Sequence, residues 1–283
     1  MLLLVLGLLL VSSGILIFDT RPADAASVVN LKMGSGPDAV DVNPTTNMVY
    51  VANYDDSTVT LIDGKTDNVV SNGIHVGLGP SAISVNPTTN MVYVANYDSN
   101  TTSVIDGNTN RVIANVTVGG SPSAISVNPT TNMVYVANYD SNTTSVIDGN
   151  TNRVIANVTV GGSPSAISVN PTTNMVYVAN RDEDNNYANN ATVSVISGNT
   201  NRVTANVTVG GSPSAISVNP TTNMVYLANT NNNTISIIDG KTNRIVSNGI
   251  QVGERPLALS VNPYNNIIYV ANNNDTLSII SSN

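Results

Sequence analysis

The chain of 283 residues carries 18 acidic and 10 basic side chains, for a net charge of −8, and it has no cysteine. A strongly acidic protein repels phosphate backbones, so nucleic acid is not expected as a partner. Without cysteine, the chain has no disulfide framework, thiol nucleophile or cysteine metal site, and its stability must come from packing.

An apolar segment opens the chain. Residues 2–18 contain no charged side chain, and Ala23-Asp24-Ala25 follows before Ala26. Residues 1–26 are therefore predicted to be a secretory signal peptide. The first basic residue, Arg21, comes after the segment instead of before it, so an uncleaved membrane anchor through residues 2–18 stays open, as does a buried helix. The first two alternatives predict that residues 27–283 are extracellular or lie at the cell surface.

The rest of the chain is organised by one repeated stretch, VNPTTNMVYVAN at residues 42–53. It returns nearly unchanged at Val85, Val127, Val169 and Val218, and in a weaker form at Val261. The Asn-Pro pairs within it are 43, 42, 42, 49 and 43 residues apart. A period in the low forties predicts stacked blades or a solenoid.

Each repeat divides into four short strands with turn residues between them. In the second repeat, the alternation of apolar residues predicts strands at 81–86, 91–96, 102–106 and 111–118. Pro87 favours a type I turn after the first strand, and Asp106-Gly107 is a hairpin signal after the third. Four-stranded antiparallel units repeated at this length are typical of the blades of a β-propeller.

The sequence therefore predicts an all-β, six-bladed β-propeller of four-stranded antiparallel blades spanning residues 27–283. First, second and third strands recur six times, but only five third strands are followed by a fourth. Ser27 to Met33 stands where the missing strand should be, before the first Gly-x-Gly-Pro. We expect this N-terminal strand to complete the last blade and close the ring, because an incomplete ring exposes apolar surface and an unpaired edge.

The repeats resemble the YVTN β-propeller family, known from archaeal cell-surface and surface-layer proteins. The matching residues are Tyr50-Val51-Ala52-Asn53, the same motif at 93–96, 135–138, 177–180 and 269–272, YLAN at 226–229, and Ile-Asp pairs at 62–63, 105–106, 147–148 and 238–239. Alanine replaces the threonine of the family motif, and such propellers often have seven blades. The resemblance implies a surface location, with cell-envelope proteins or glycans as partners, and supplies no catalytic residues.

A catalytic site is not expected. Propeller hydrolases and lactonases converge metal-binding side chains at the axis, and three or four ligands are the minimum. Residues 80–121 and 122–163 are identical, and the inner strands offer Ser, Ala, Ile and Val, with Asp38 and Asp41 only in the first. His75 falls in an outer strand. A structural or binding module of the cell surface is favoured, with a lactonase-type hydrolase as the alternative, and no cofactor is expected.

The tyrosine of each YVAN strand is expected in the core between blades, with its hydroxyl hydrogen-bonded.

Asn-x-Ser/Thr sequons suggest glycosylation, although eight of them are no more than chance would give in a chain so rich in Asn, Ser and Thr. The hypothesis rests on export and exposure. The candidate sites are Asn115, Asn157 and Asn206 in outer strands, and Asn100, Asn142 and Asn190 elsewhere.

The fourth repeat contains a seven-residue insertion between residues 181 and 191, which accounts for the spacing of 49. Unusual loops on rigid scaffolds often carry function. We expect a partner-binding loop made of Asp182, Glu183, Asp184, Asn185, Asn186 and Tyr187. Carboxylate and amide oxygens also suit Ca²⁺, which makes Asp182 and Asp184 metal candidates, although the spacing of a helix-loop-helix calcium site is absent. A cation-binding surface protein and an unliganded loop both stay open.

Overall fold

The computed structural model describes residues 30–182 and 191–281. In these two ranges the regular secondary structure consists of β-strands alone. The strands are β1 (Pro37–Asn43), β2 (Met48–Asn53), β3 (Thr58–Asp63), β4 (Asn68–His75), β5 (Pro80–Asn86), β6 (Met91–Asn96), β7 (Thr101–Asp106), β8 (Arg111–Thr117), β9 (Pro122–Asn128), β10 (Met133–Asn138), β11 (Thr143–Asp148), β12 (Arg153–Thr159), β13 (Pro164–Asn170), β14 (Met175–Asn180), β15 (Thr192–Ser197), β16 (Arg202–Thr208), β17 (Pro213–Asn219), β18 (Met224–Asn229), β19 (Thr234–Asp239), β20 (Arg244–Gln251), β21 (Pro256–Asn262), β22 (Ile267–Asn272) and β23 (Leu277–Ser281).

These strands form antiparallel sheets in strict chain order, as predicted. Within the described residues there are five sheets of four strands, β1–β4, β5–β8, β9–β12, β13–β16 and β17–β20, and one of three, β21–β23. We number them blades 1 to 6. The first strands of consecutive blades pack against one another from β1 through β21, whereas the fourth strands barely touch. The first strands therefore lie nearest the common axis, and the fourth strands form the outer edge.

The repeated Asn-Pro-Thr-Thr-Asn turn depends on its two asparagines. In blade 2 the Asn86 side-chain oxygen accepts hydrogen bonds from the backbone N–H groups of Thr88 and Thr89, at 3.0 and 3.4 Å. Asn90 then adopts a left-handed conformation with φ 57°, which asparagine tolerates better than most residues. The turn directs β6 back along β5.

The turn between the third and fourth strands forms a hairpin at the predicted Asp-Gly pair. In blade 2 the left-handed residue is Asn110, with φ 55°, and it is hydrogen-bonded from its N–H to the Asp106 carbonyl at 2.7 Å. Gly107 is required for a different reason, because a Cβ on it would lie 2.6 Å from the Asn90 carbonyl oxygen. The glycine thus permits close approach of the two turns, and the asparagine provides the reversal.

The core is divided into five clusters, one at each contact between neighbouring blades. The cluster between blades 2 and 3 includes Tyr93 and Val104 from blade 2 packed on Ile125 and Val134 from blade 3. The predicted place of the tyrosines is therefore correct. The prediction that their hydroxyls are bonded is wrong for four of them in the described residues, because the buried Oη atoms of Tyr50, Tyr93, Tyr135 and Tyr177 have no partner.

The last blade is the exception to the repeat. Asn30 to Met33 carry no strand, and residues 27–29 lie outside the described residues. Blade 6 accordingly has three strands in the part of the chain that the structure describes, and β21 does not pack against β1 as the other neighbouring first strands do. Closure by the segment 27–33 is not observed and stays a prediction.

Candidate binding site

A pocket lies at one end of the axis, where three consecutive blades bring polar and aromatic side chains together. Tyr97, Tyr139 and Arg181 occupy equivalent positions, immediately after the second strands of blades 2, 3 and 4. Ser123 and Ser165 are the second residues of β9 and β13. These five residues line a cavity of about 380 Å³ that is open to solvent.

The backbone of each pocket residue is held by the connection that enters its blade. Tyr97 N–H donates to the Gly79 carbonyl at 2.7 Å, and Tyr139 N–H donates to the Ser121 carbonyl at 2.9 Å. The acceptor residues have φ of 63° and 52°, so each connection is sharply curved toward the strand end. The two tyrosines therefore start from equivalent backbone positions on adjacent blades.

The serines and the arginine connect neighbouring blades at the same level. Ser123 Oγ donates to the Pro164 carbonyl at 2.7 Å, and Ser165 Oγ donates to the Pro213 carbonyl at 2.9 Å. Arg181 Nε also donates to Pro213, at 3.2 Å. The arginine is therefore anchored across the contact between blades 4 and 5, which fixes a positive charge beside the two tyrosines.

Tyr54 extends the aromatic series into blade 1. It follows β2 as Tyr97 follows β6, and a hydrogen bond to Asp98, reinforced by burial and by the negative charge of Asp98, raises the pKa of the Tyr54 phenol. Blades 5 and 6 place Thr230 and Asn273 at this position. The series Tyr, Tyr, Tyr, Arg, Thr, Asn directly follows an asparagine that is the same in all six repeats. The change from tyrosine to arginine at this position was the sequence signal that could have identified the pocket.

Asp41, on the innermost strand of blade 1, is a carboxylate with a raised pKa. Asp41 accepts hydrogen bonds from Val42 N–H at 2.8 Å and from Val85 N–H, in blade 2, at 2.7 Å. Burial nevertheless raises its pKa to about 6. Burial also raises the pKa of Asp38. The equivalent residue in blade 2 is Ser84, whose Oγ accepts from Val127 N–H at 3.2 Å.

The structure does not assemble a metal site from the described residues. Within residues 30–182 and 191–281, no three His, Asp or Glu side chains lie close enough together to hold a metal ion. His75 is exposed on the outer strand β4, as expected. Of the predicted loop, only Asp182 is described, and its N–H donates to the Gly162 carbonyl at 3.0 Å. The positions Glu183 to Tyr187, with the metal candidate Asp184, lie outside the described residues.

Three of the glycosylation candidates share one environment. Asn115, Asn157 and Asn206 are exposed on β8, β12 and β16, and the side-chain oxygen of each accepts a hydrogen bond from a serine of the third strand at 2.7 to 2.8 Å. Asn100 and Asn142 instead have left-handed backbones, and their side-chain oxygens accept from backbone N–H groups of the connections. Asn190 lies outside the described residues.

No helix with the length and apolarity needed to cross a bilayer occurs within the described ranges. The apolar segment 2–18 lies outside them.

Sheets of this kind, arranged about an axis with a pocket at one end, define the chain as a β-propeller. A family model described as "Lactonase, 7-bladed beta-propeller" matches residues 148–256. Among solved structures, Kuenenia stuttgartiensis hydrazine synthase is similar with a TM-score of 0.60 and 16% sequence identity, over 91% of this chain and 99% of that chain. At this identity the likeness shows the fold alone. No curated protein matches the chain.

Proposed function

We propose that this chain is an exported β-propeller of the YVTN type that serves as a binding module of the cell surface, with the pocket of Tyr97, Tyr139 and Arg181 as its ligand site. One observation carries the proposal. In a chain whose blades are nearly identical, three adjacent blades place two phenols and a guanidinium on one cavity.

The chemistry of this pocket suits an acidic glycan. The faces of aromatic rings pack against the apolar faces of sugar rings, and phenol and serine hydroxyls can bond sugar hydroxyls. A guanidinium binds a carboxylate through two parallel hydrogen bonds. The fixed position of Arg181 lowers the entropic cost of that contact. Envelope glycans with uronic acid units present both features to a protein outside the cell.

Calorimetry with a matched pair of ligands tests this proposal. We expect a glucuronate-containing oligosaccharide to bind the full chain, and its glucose-containing counterpart to bind at least tenfold more weakly. Arg181→Gln should remove the preference for the acidic ligand. Arg255→Gln, which removes an exposed arginine from the connection into blade 6, is the control and should leave binding unchanged. Equal binding of both oligosaccharides, or no binding of either, contradicts the proposed site.

The surface location has its own test. Export of residues 27–283 predicts that a membrane-impermeant amine reagent added to intact producing cells modifies Lys65 and Lys241, which are exposed or partly exposed in turns between third and fourth strands. A cytoplasmic protein of the same cells should remain unmodified. Labelling that requires cell lysis would exclude the surface role, whatever the outcome with the glycans.

A lactonase-type hydrolase is the second candidate, favoured by the family model that matches residues 148–256. Asp41 is the residue to examine, since a carboxylate with a pKa of about 6 near the axis is suited to act as a general base. Acid release from a simple lactone, followed at pH 7.5, should be lost in Asp41→Asn if this candidate is correct. Lactone turnover indistinguishable from the buffer rate removes it.

A further inference from the structure

The outer strands of blades 1 and 5 are longer than those of the three blades between them. β4 and β20 have eight residues each, whereas β8, β12 and β16 have seven. The additional residue is a glycine, Gly73 or Gly249, and the pairing with the third strand shifts register there. Each glycine therefore creates a β-bulge. An asparagine precedes it, Asn72 in blade 1 and Asn248 in blade 5.

An asparagine that is followed by glycine can lose its side-chain amide in water. The main-chain nitrogen of the glycine attacks the asparagine Cγ and forms a new C–N bond. The Nδ2 leaves as ammonia, with the proton taken from the glycine nitrogen. Water then opens the cyclic imide at either carbonyl carbon, which gives an aspartyl or an isoaspartyl residue. Water is the only reagent consumed.

Glycine favours this reaction because it has no Cβ to hinder the approach of its nitrogen. In blades 2, 3 and 4 the corresponding asparagine is followed by valine, whose branched side chain obstructs that approach. The sequence contains two Asn-Gly pairs, and they are the two at the bulges. Blades 1 and 5 are therefore the places to compare.

The two pairs have the same local sequence and different surroundings. Residues 70–74 and 246–250 both read Val-Ser-Asn-Gly-Ile. Asn248 pairs with Ser236 in the ladder between β19 and β20. Its Oδ1 also accepts a hydrogen bond from the Ser236 Oγ at 2.7 Å. This bond resists the rotation that would bring the Asn248 Cγ to the Gly249 nitrogen.

Asn72 has neither of these restraints. The ladder between β3 and β4 stops at Ser71 and resumes at Ile74, so Asn72 and Gly73 both lie outside it. Thr60 occupies the place of the serine. The Asn72 side chain is exposed and forms no hydrogen bond among the described residues. Its amide is therefore free to rotate toward the next residue.

The attacking nitrogen in blade 1 is accessible as well. Gly73 is exposed, and its N–H donates to the Ser71 Oγ at 3.5 Å, which is longer than the usual N–H···O distance. The nearest atom to a Cβ placed on Gly73 would be the Thr58 Cγ2, at 4.0 Å. The space around this nitrogen is open.

We infer that Asn72 is a site of spontaneous deamidation in the folded chain, and that Asn248 is protected by its hydrogen bond with Ser236. Conversion adds a negative charge to the outer edge of blade 1. The isoaspartyl product also adds a methylene to the main chain. The bulge accommodates it, because Asn72 and Gly73 make no pair in the ladder. The folded chain thus accumulates acidic variants without losing blade 1.

Peptide mass spectrometry of the full chain, incubated in mildly alkaline buffer and sampled over time, measures the two sites separately. Trypsin releases Asn72 within residues 66–111 and Asn248 within residues 245–255. In the folded chain we expect Asn72 to convert about tenfold faster than Asn248, a factor that one hydrogen bond can supply. In denaturant the two sites should convert at the same rate, because their local sequences are identical.

Two variants assign the cause of the difference. Ser236→Ala removes the protecting hydrogen bond and should bring the rate at Asn248 close to that at Asn72. Gly73→Ala fits the open space in blade 1 and should suppress conversion of Asn72 by obstructing its attacker. The converted parent chain should unfold at the same temperature as the fresh chain.

The opposite results overturn the inference. An Asn72 that keeps its amide in the folded chain, or equal rates at the two sites, would show that the bulge in blade 1 does not permit ring closure. An unchanged rate at Asn248 in Ser236→Ala would show that the hydrogen bond is not the protection. A lower unfolding temperature after conversion would show that blade 1 does not accommodate the product.

Discussion

Asn86 and Asn132 lie in adjacent blades, and the Asn86 Nδ2 donates a hydrogen bond of 2.7 Å to the Asn132 Oδ1. The Asn86 Oδ1 at the same time accepts from the backbone of its own turn. A single buried amide therefore fixes both a hairpin and the contact between two blades. Each function uses a different end of the amide, so the two can be separated by substitution.

Asn86→Asp keeps the acceptor and removes the donor. The new carboxylate would face the Asn132 oxygen in a fully buried position, so we expect a loss of about 2 to 4 kcal/mol of stability at pH 7. The loss should shrink toward pH 4, because a protonated carboxyl can again donate. Denaturant unfolding at both pH values measures this. Asn72→Asp, at an exposed site on β4, is the control, and an equal loss in the two variants would disprove the role of the buried pair.

Tyr93 is held by its ring and not by its hydroxyl. The Oη atom is buried without a partner among the described residues, and burial together with the charge of Asp148 raises the pKa of this phenol to about 12. Tyr93→Phe should therefore keep the stability of the parent or increase it by up to about 1 kcal/mol. Tyr93→Ala should cost about 3 to 5 kcal/mol through the cavity left in the core. Thermal unfolding of the two variants and the parent chain measures both effects. A clear loss of stability in Tyr93→Phe would show that the hydroxyl is hydrogen-bonded.

Asp41 makes stability depend on pH. Its pKa of about 6 in the folded state lies above the ordinary 3.8, so the folded state binds the proton more tightly than the unfolded state. The stability of the parent chain therefore falls as pH rises from about 4 to about 6 and stays reduced above that. Asp41→Ser, which introduces the residue found in blade 2, abolishes this fall.

The measurable quantity is the difference in unfolding free energy between Asp41→Ser and the parent chain. It should shift in favour of the variant by about 2 to 3 kcal/mol between pH 4 and pH 7. Ser84→Ala, at the equivalent position of blade 2, serves as the control with no titrating group. A difference for Asp41→Ser that does not vary with pH would show that the carboxyl is not buried.

The insertion in blade 4 can be removed without disturbing its neighbours. Asp182 N–H is bonded to the connection of its own blade, so the deletion should begin after it and comprise residues 183–189, the length of the insertion. We expect the melting temperature to change by less than about 2 °C, since loop length has a small effect on stability. Calorimetry with CaCl₂ tests the metal hypothesis, which requires heat from the parent chain and none from the deletion variant.

Glycosylation should be concentrated on the outer strands. Asn115, Asn157 and Asn206 are exposed, and the side-chain oxygen of each already accepts a hydrogen bond. The Nδ2 of each is then the atom to which a glycan would be attached. Peptide mass spectrometry of protein from its native cells should find glycan there. We expect less at Asn100 and Asn142, which have left-handed backbones in tight turns. An unmodified intact mass would end the hypothesis for all of these sites.

The sequence determined the parts of this protein that depend on neighbours along the chain. The 42-residue period, the alternation of apolar residues and the Asn-Pro-Thr-Thr-Asn turn predicted the antiparallel four-stranded units. In blade 2 they gave the strand ends to within one residue, because hairpins are specified by turn residues and hydrogen bonds close together in the sequence. The same local reasoning placed a hairpin turn at Asp106-Gly107 correctly but did not identify Asn110 as its left-handed residue. There the glycine is needed for contact with a residue of another turn, and periodicity carries no information about that contact.

Only the tertiary structure decided which side chains of different blades meet. Asn86 and Asn132 are far apart in the sequence, and so are Tyr97, Tyr139 and Arg181, yet each set forms one local arrangement. These contacts depend on how each blade is rotated against the next, which follows from the packing of tyrosines and β-branched residues across the whole contact and not from any one strand. The candidate pocket is a consequence of that packing.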